Sequence, residues 1–147
     1  MKAGDLVFVR GHSIISKLIR LFDEGKWTHV AIAVSETQII EAQRFTRTKI
    51  VDMKYTDYEI VPMNLNPYEQ GIITDSAKEL EGTWYDYKLI AWLMLNELFR
   101  INKSPFWNNP NYLICSELVY LLYHQIGRDY GDIYVTPNEL YQIVTNS

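Results

Sequence analysis

The stretch Asn111-Tyr112-Leu113-Ile114-Cys115-Ser116-Glu117-Leu118-Val119-Tyr120 carries the only cysteine of a 147-residue chain. One thiol cannot close an internal disulfide, so the fold must rest on packing alone and suits a reducing compartment. A chain of this length can remove roughly 70% of its unfolded surface from water around a single core, and a 48% hydrophobic composition supplies the material. One domain over residues 1–147 is expected, with no linker, repeat or low-complexity tract.

Leu118, Val119, Leu121, Leu122 and Ile126 follow the three-to-four spacing of a half-buried helix, and Gly127 stands where such a helix stops. Cys115 is therefore expected at the helix's amino end, where free backbone N–H groups and the helix dipole favour negative charge and a thiol ionises more readily. Ahead of it, residues 102–111 hold two prolines and four asparagines. They read as an exposed loop that could border a groove.

The rest of the chain supplies a sheet and more helices. Leu6–Val9, after Gly4-Asp5, reads as a buried strand; Ser13 can cap a helix over 14–24 that ends at Gly25. Trp27–Val34 and Gln38–Ala42 read as two arms of a hairpin turned at Ser35-Glu36-Thr37. Antiparallel pairing of those arms brings His29 close to Glu41. Thr48–Asp52 and Tyr58–Pro62 extend the sheet. Asn64 to Gln70 reads as a loop around Pro67, with Asp75 capping a short helix that ends at Gly82, and a further helix runs from about Asp86 to Arg100. Thr136-Pro137-Asn138-Glu139 combines a cap hydroxyl, proline at the first helical position and glutamate three after the cap, so a last helix runs through Val144. The expected fold class is α+β: an antiparallel sheet of four to six strands packed against helices.

Several functions are disfavoured by composition. A net charge of -4 without a basic run does not supply the phosphate contacts of nucleic-acid binding. The longest apolar run, Leu89 to Leu95, is seven residues and far short of the ~20 that span a bilayer, so no integral membrane segment is expected. One cysteine and three histidines (His12, His29, His124) show no tight ligand spacing, so neither a metal nor another cofactor is expected. The start of the chain lacks a secretory segment, which makes the cytoplasm the default location and leaves the cell wall out of reach without another route.

Nucleophilic catalysis by cysteine needs a thiolate, a histidine that exchanges its proton, and a polar group that orients the imidazole. Cys115, His29 and Glu41 supply one of each, with the Cys115 N–H as a possible oxyanion donor. Each also has a plain structural alternative: a lone cysteine is most often a small buried hydrophobe, a strand histidine a packing residue, and a glutamate a solvated edge residue. His12, in a loop after Gly11, competes with His29 for the role of base, and the strand position favours His29.

Taken in order, Gly4-Asp5-Leu6-Val7, Trp27-Thr28-His29-Val30-Ala31-Ile32 with Ile40-Glu41-Ala42, Tyr85-Asp86-Tyr87, Cys115-Ser116-Glu117-Leu118-Val119 and Thr136-Pro137-Asn138-Glu139-Leu140 span nearly the whole chain. This order resembles the circularly permuted branch of the NlpC/P60 cysteine peptidase superfamily, the YiiX/YebB-like proteins of permuted papain fold. In unpermuted members the cysteine helix precedes the histidine strand; here His29 comes first. The resemblance implies Cys115 as nucleophile, His29 as base and Glu41 as the orienting residue, with Tyr85 and Tyr112 as candidates to line a substrate groove. Unpermuted members often carry aspartate before the cysteine, where this chain has Ile114. Many members cleave amide bonds in peptidoglycan peptides, and relatives of the fold move acyl groups through a thioester. The implied partner is thus a peptide or acyl-amide substrate, with hydrolysis, acyl transfer and a non-catalytic binding module as the three readings.

Overall fold

The structure, a computed structural model, describes residues 1–11, 25–42, 48–82, 110–130 and 135–147, and side chains of the helical residues 110–114 are not among those described. Five short runs rich in Val and Ile form strands: β1 (Leu6–Val9), β2 (His29–Ala33), β3 (Gln38–Glu41), β4 (Lys49–Asp52) and β5 (Tyr58–Val61). They pair in the order β4-β3-β2-β1-β5, every pair antiparallel. β2 is thus the central strand, hydrogen-bonded on both sides. The expected sheet is present, and the expected strands all lie in it.

Both faces of the sheet are covered. On one, Leu6, Phe8, Val30, Ile32 and Ile40 pack with the helical residues Leu118, Leu122, Tyr123 and Leu140. On the other, Val7, Val9, Ala31 and Ile39 are covered by Met1, Met53 and Tyr55 among others. That second cover has a topological cause. β4 and β5 are opposite edges of the sheet, yet only residues 53–57 join them. Four strand spacings of about 4.8 Å make roughly 19 Å, and six residue steps at about 3.4 Å make roughly 20 Å. The link must run nearly straight across the face, as a strap with Tyr55 at its middle. Its alternating exposure, with Lys54 and Thr56 outward, fits an extended path. The N–H of Met53 donates to the Thr37 carbonyl at 2.8 Å and that of Arg10 to the Asp57 carbonyl at 3.0 Å, which pins the strap at both ends.

Three helices lie among the described residues: α1 (Pro67–Leu80), α2 (Pro110–His124) and α3 (Pro137–Asn146). α3 starts with the expected capping box, Glu139 N–H donating to Thr136 Oγ1 at 3.2 Å and Thr136 N–H to Glu139 Oε2 at 2.9 Å. α1 corrects the sequence reading. The loop expected over Asn64–Gln70 is already helix from Pro67, because Asn66 and Glu69 form the same reciprocal cap at 2.9 Å each way and Pro67 is a first-turn proline. Asp75 is an interior residue of that helix and caps nothing. α2 corrects it again: the expected loop through Asn111 ends sooner, since Pro110 and Asn111 open the helix. The expected helices over 14–24 and from Asp86 to Arg100, the Leu89 to Leu95 run and most of the 102–111 loop lie outside the described residues. Among the described residues no helix is long and apolar enough to cross a membrane.

The two ends of the chain hold the central strand in place. Gly4, at φ +91°, lets the chain turn into β1; its carbonyl accepts from the buried Tyr123 hydroxyl of α2, and Asp5 accepts the Met63 N–H at 3.2 Å. From the other end, Asn138 of α3 grips the backbone just before β2. The Trp27 N–H donates to Asn138 Oδ1 at 2.7 Å, and Asn138 Nδ2 donates to the Trp27 carbonyl at 3.0 Å. Phe8, Trp27 and Tyr141 pack ring against ring around this bond pair, with centroids 5.1 to 5.9 Å apart. Gly25 leaves the room: a Cβ there would stand 2.1 Å from the Asn138 amide.

Two hydrogen bonds to buried or half-buried backbone are each worth about 1 kcal/mol net, more if a group is left unpaired. Asn138→Ala is therefore expected to lower stability by roughly 1–3 kcal/mol, and the melting temperature by about 2–4 °C for each kcal/mol. Gly25→Ala is expected to destabilise the parent but to cost much less on top of Asn138→Ala, because the clash is with that amide. Additive losses in the double variant, measured by urea unfolding, would show that the two residues do not share a contact.

Candidate functional site

Each residue of Trp27-Thr28-His29 is held by a different neighbour. Trp27 is gripped by Asn138 as above. Thr28 Oγ1 accepts the Gly11 N–H at 2.8 Å, and its own N–H donates to the Val9 carbonyl at 3.0 Å. His29 then opens β2, paired with Val9. A histidine at the first residue of a central strand has a fixed backbone and a ring at the strand's end, where a side chain can reach past the sheet.

Glu41 closes β3 on the neighbouring strand. The register pairs Ile32 with Ile40 and Ala33 with Ile39, so Glu41 falls opposite Ala31 and lies diagonal to His29 on the same face. A diagonal pair needs a long side chain to bridge it, and Glu41 Oε2 stands 3.3 Å from His29 Nε2. The expected proximity is present, with Glu41 two residues along from directly opposite His29.

Cys115 completes the line. It belongs to the helix-side core and has no exposed surface, and its thiol hydrogen-bonds the His29 imidazole. With Nε2 turned toward Glu41, Nδ1 is the ring nitrogen open to the thiol. Cys115, His29 and Glu41 thus form one hydrogen-bonded chain from three separate elements. His29 keeps 16% of its side chain exposed.

The expected place of Cys115 in its helix needs correction. α2 begins at Pro110, so Cys115 is in its second turn and not at its amino end. The helix dipole acts chiefly on the first turn. In a helix starting there, the Cys115 N–H is committed to the carbonyl four residues back, so it is not a free oxyanion donor. The histidine, not the helix terminus, is what sets the thiol's environment. Of the groove candidates, Tyr85 lies outside the described residues; Tyr112 falls in the first turn of α2, with its side chain likewise outside them. His12 lies outside them too, and the imidazole that meets the thiol is that of His29.

Two further residues were not read from the sequence. Lys54 Nζ donates to Glu41 Oε1 at 2.5 Å and the Tyr55 hydroxyl donates to Glu41 Oε2 at 2.5 Å. Both ride on the strap over the sheet face, and the Tyr55 ring packs against the His29 ring with centroids 5.9 Å apart. Nothing local in Met53-Lys54-Tyr55 marks them. Their role follows from the strand order, which puts the strap over β2 and β3.

Glu41 is 4% exposed, and a carboxylate so placed must be paired or neutralised. Burial raises its pKa, but the hydrogen bonds from His29, Lys54 and Tyr55 outweigh this and lower it to about 2. Burial likewise works against protonated His29, and its hydrogen bonds and charge interactions with Cys115 and Glu41 overcome that to raise it to about 9. The imidazole is thus held as a cation through neutral pH. Close by on α2, burial pushes the half-buried Glu117 carboxyl up to about 7, and the buried Ser116 hydroxyl has no partner among the described residues.

No protein-family model and no curated protein matches the chain. Among solved structures, the crystal structure of the metalloprotein YiiX from Escherichia coli O157:H7, DUF1105, is similar in fold: the TM-score is 0.52 at 18% identity, over 89% of this chain and 69% of that one. The YiiX-like part of the resemblance is therefore supported at the level of fold. Among the described residues of this chain, no three His, Cys, Asp or Glu side chains come together as a metal ligand set.

A raised histidine pKa stabilises the fold fully below the unfolded value and loses that contribution as pH climbs through the folded one; a lowered carboxyl pKa does the reverse. Stability is therefore expected to fall as pH rises from 6.5 to about 9 through His29, and as it drops from 4.5 toward about 2 through Glu41. The midpoint of urea unfolding, followed over pH, checks this. His29→Ala should flatten the alkaline slope, and an equally steep slope without His29 would assign it to other groups.

Proposed function

We propose that the chain is a cysteine hydrolase that cleaves an amide bond through a thioester on Cys115, on a permuted papain-like (NlpC/P60) fold. The observation that carries this reading is the Cys115–His29–Glu41 hydrogen-bonded chain, assembled from three separate elements. The element order, histidine strand before cysteine helix, supports the permuted classification. The likeness to YiiX supports it as fold.

The chemistry follows from the geometry. A thiolate on Cys115 Sγ beside the His29 imidazolium attacks the amide carbonyl carbon, and the carbonyl oxygen takes the negative charge of the tetrahedral intermediate. His29 gives its proton to the leaving nitrogen as the C–N bond breaks, leaving a thioester and a free amine. Water then attacks the thioester carbon while His29 takes a proton from it, and the acid and thiol are released. Glu41 keeps Nε2–H facing itself and stabilises the imidazolium without taking its proton. Peptide amides, including those of peptidoglycan, are the substrate class the resemblance suggests.

Complete burial of the thiol favours a second reading. A thioester kept from water survives long enough to meet an amine or alcohol, so the same intermediate would serve an acyltransferase. The chemistry of acylation is identical, and the reactions part only at the acceptor.

The test is alkylation of Cys115 by iodoacetamide from pH 4 to pH 10 in the parent, His29→Ala and Glu41→Ala, with the denatured chain as reference. His29→Ala is expected to slow alkylation of Cys115 about tenfold or more relative to the parent. Peptide amides are then offered and Cys115 is examined by mass spectrometry for an acyl adduct, whose release by water or by added amine separates hydrolysis from transfer. A thiol inert in the folded parent but reactive when denatured would sink both catalytic readings and favour a binding module that keeps the fold.

A further inference from the structure

We infer that Tyr55 is a positioning residue for the thiol–imidazole pair: its hydroxyl, delivered by the strap over the sheet, holds Glu41 Oε2 toward His29 while Lys54 takes Oε1. This rests on the proposed role of Cys115, His29 and Glu41, and adds the group that keeps the third of them in place.

Glu41 has more than one partner to choose between. Oε2 receives both His29 Nε2 at 3.3 Å and the Tyr55 hydroxyl at 2.5 Å, while Oε1 receives Lys54 at 2.5 Å. Lys54 is a full cation on a flexible stem, 51% exposed, and Lys49 stands opposite Glu41 in the β3–β4 register. The imidazole contact is the longest of the three. A carboxylate bridged diagonally from a neighbouring strand and held at one oxygen only would turn toward the nearer ammonium. The hydroxyl at Oε2 prevents that turn by fixing the second oxygen.

The strap is suited to this because it has no slack. Residues 53–57 must cross the whole sheet between its two edges, and they are tied at Met53 and Asp57. Tyr55, midway, is packed on the sheet face with Val7, Val9, Ala31 and Ile39 and against the His29 ring. A phenol anchored at its ring and fixed at its backbone places its oxygen within a narrow range. Lys54, half exposed, has only its ammonium placed, on Glu41 and 5.4 Å from the Tyr55 ring centroid. Among the described residues, the charged and titratable groups around the imidazole are then Cys115 from α2, Glu41 from β3, and Lys54 and Tyr55 from the strap, with Lys49 beyond Glu41 on β4.

The decisive variant is Tyr55→Phe, which keeps the ring and removes one oxygen. In the full chain, the His29 ring signal is followed by NMR over pH and assigned by its loss in His29→Ala. Tyr55→Phe is expected to lower the His29 midpoint by about one pH unit as the carboxylate turns to Lys54, and to slow Cys115 alkylation near pH 6 several-fold. Lys54→Met, which removes the competitor, is expected to leave the His29 midpoint unchanged or higher. An unchanged midpoint in Tyr55→Phe means the ring merely packs, and a raised one means the hydroxyl competes with the imidazole for Oε2; either overturns the inference. A lowered midpoint in Lys54→Met overturns it as well, by giving the holding role to the ammonium, and remains decisive should Tyr55→Phe not fold. The titration needs no substrate, so an unreactive thiol in the parent would fail the catalytic reading while the role of Tyr55 is still decided.

Discussion

A carboxylate placed at the end of an interior strand is the constraint on which the site depends. Glu41 is buried at the end of β3, and an ionised group removed from water is stable only where donors replace the water it lost. Three donors do so, from His29, Lys54 and Tyr55. Each comes from a segment that the sheet brings there for its own reasons: β2 by direct pairing, and the strap because it must cross from one sheet edge to the other. The carboxylate then acts on the imidazole, and the imidazole on the thiol. Electrostatics is passed from the far face of the sheet to the helix core through one ring at the end of the central strand.

The ends of the chain make that arrangement rigid. Asn138 of α3 and the hydroxyl of Thr28 fix the backbone on the two residues before His29, and the Gly4-Asp5 turn locks β1 beside it. Landmarks that read as separate signatures along the chain therefore converge on one strand. The Thr-Pro-Asn-Glu run starts a helix and also places an amide that takes hold of Trp27. The Gly-Asp run starts a strand and also receives α2 through Tyr123. Sites that need a histidine placed against a thiol with a tolerance of about 0.5 Å are built this way, on elements held from several sides.

Burial of Cys115 bears on what such a pair can do. Cys115 lies in the helix-side core with no exposed surface, while His29 keeps 16% of its side chain exposed. On the proposed reading, burial of the thiol would keep water from a thioester and lengthen its life. The two proposed reactions, hydrolysis and transfer, then differ in how the second acceptor reaches the carbon.

The strands were legible in the sequence because their physics is local. Runs such as Leu6–Val9 and His29–Ala33 are apolar and β-branched between turn residues, and the hairpin turn at Ser35-Glu36-Thr37 was enough to bring His29 near Glu41. The capping box of α3 was legible for the same reason, and that of α1 was equally written in Asn66-Pro67-Tyr68-Glu69 but masked by reading Pro67 as a breaker. The start of α2 was not legible: prolines and asparagines before Cys115 signal a loop, and only the folded chain shows Pro110 as a helix start, which moves the thiol off the helix terminus. Lys54 and Tyr55 were beyond any local reading. Strand order is a global property, decided by which edges pair when both faces are buried, and it alone turned a five-residue link into a strap over the site. The sequence by itself determined the strands, the cap of α3 and the pairing of His29 with Glu41; the tertiary structure decided where the helices around them begin and what surrounds the site, because contacts between distant segments depend on topology and not on neighbouring residues.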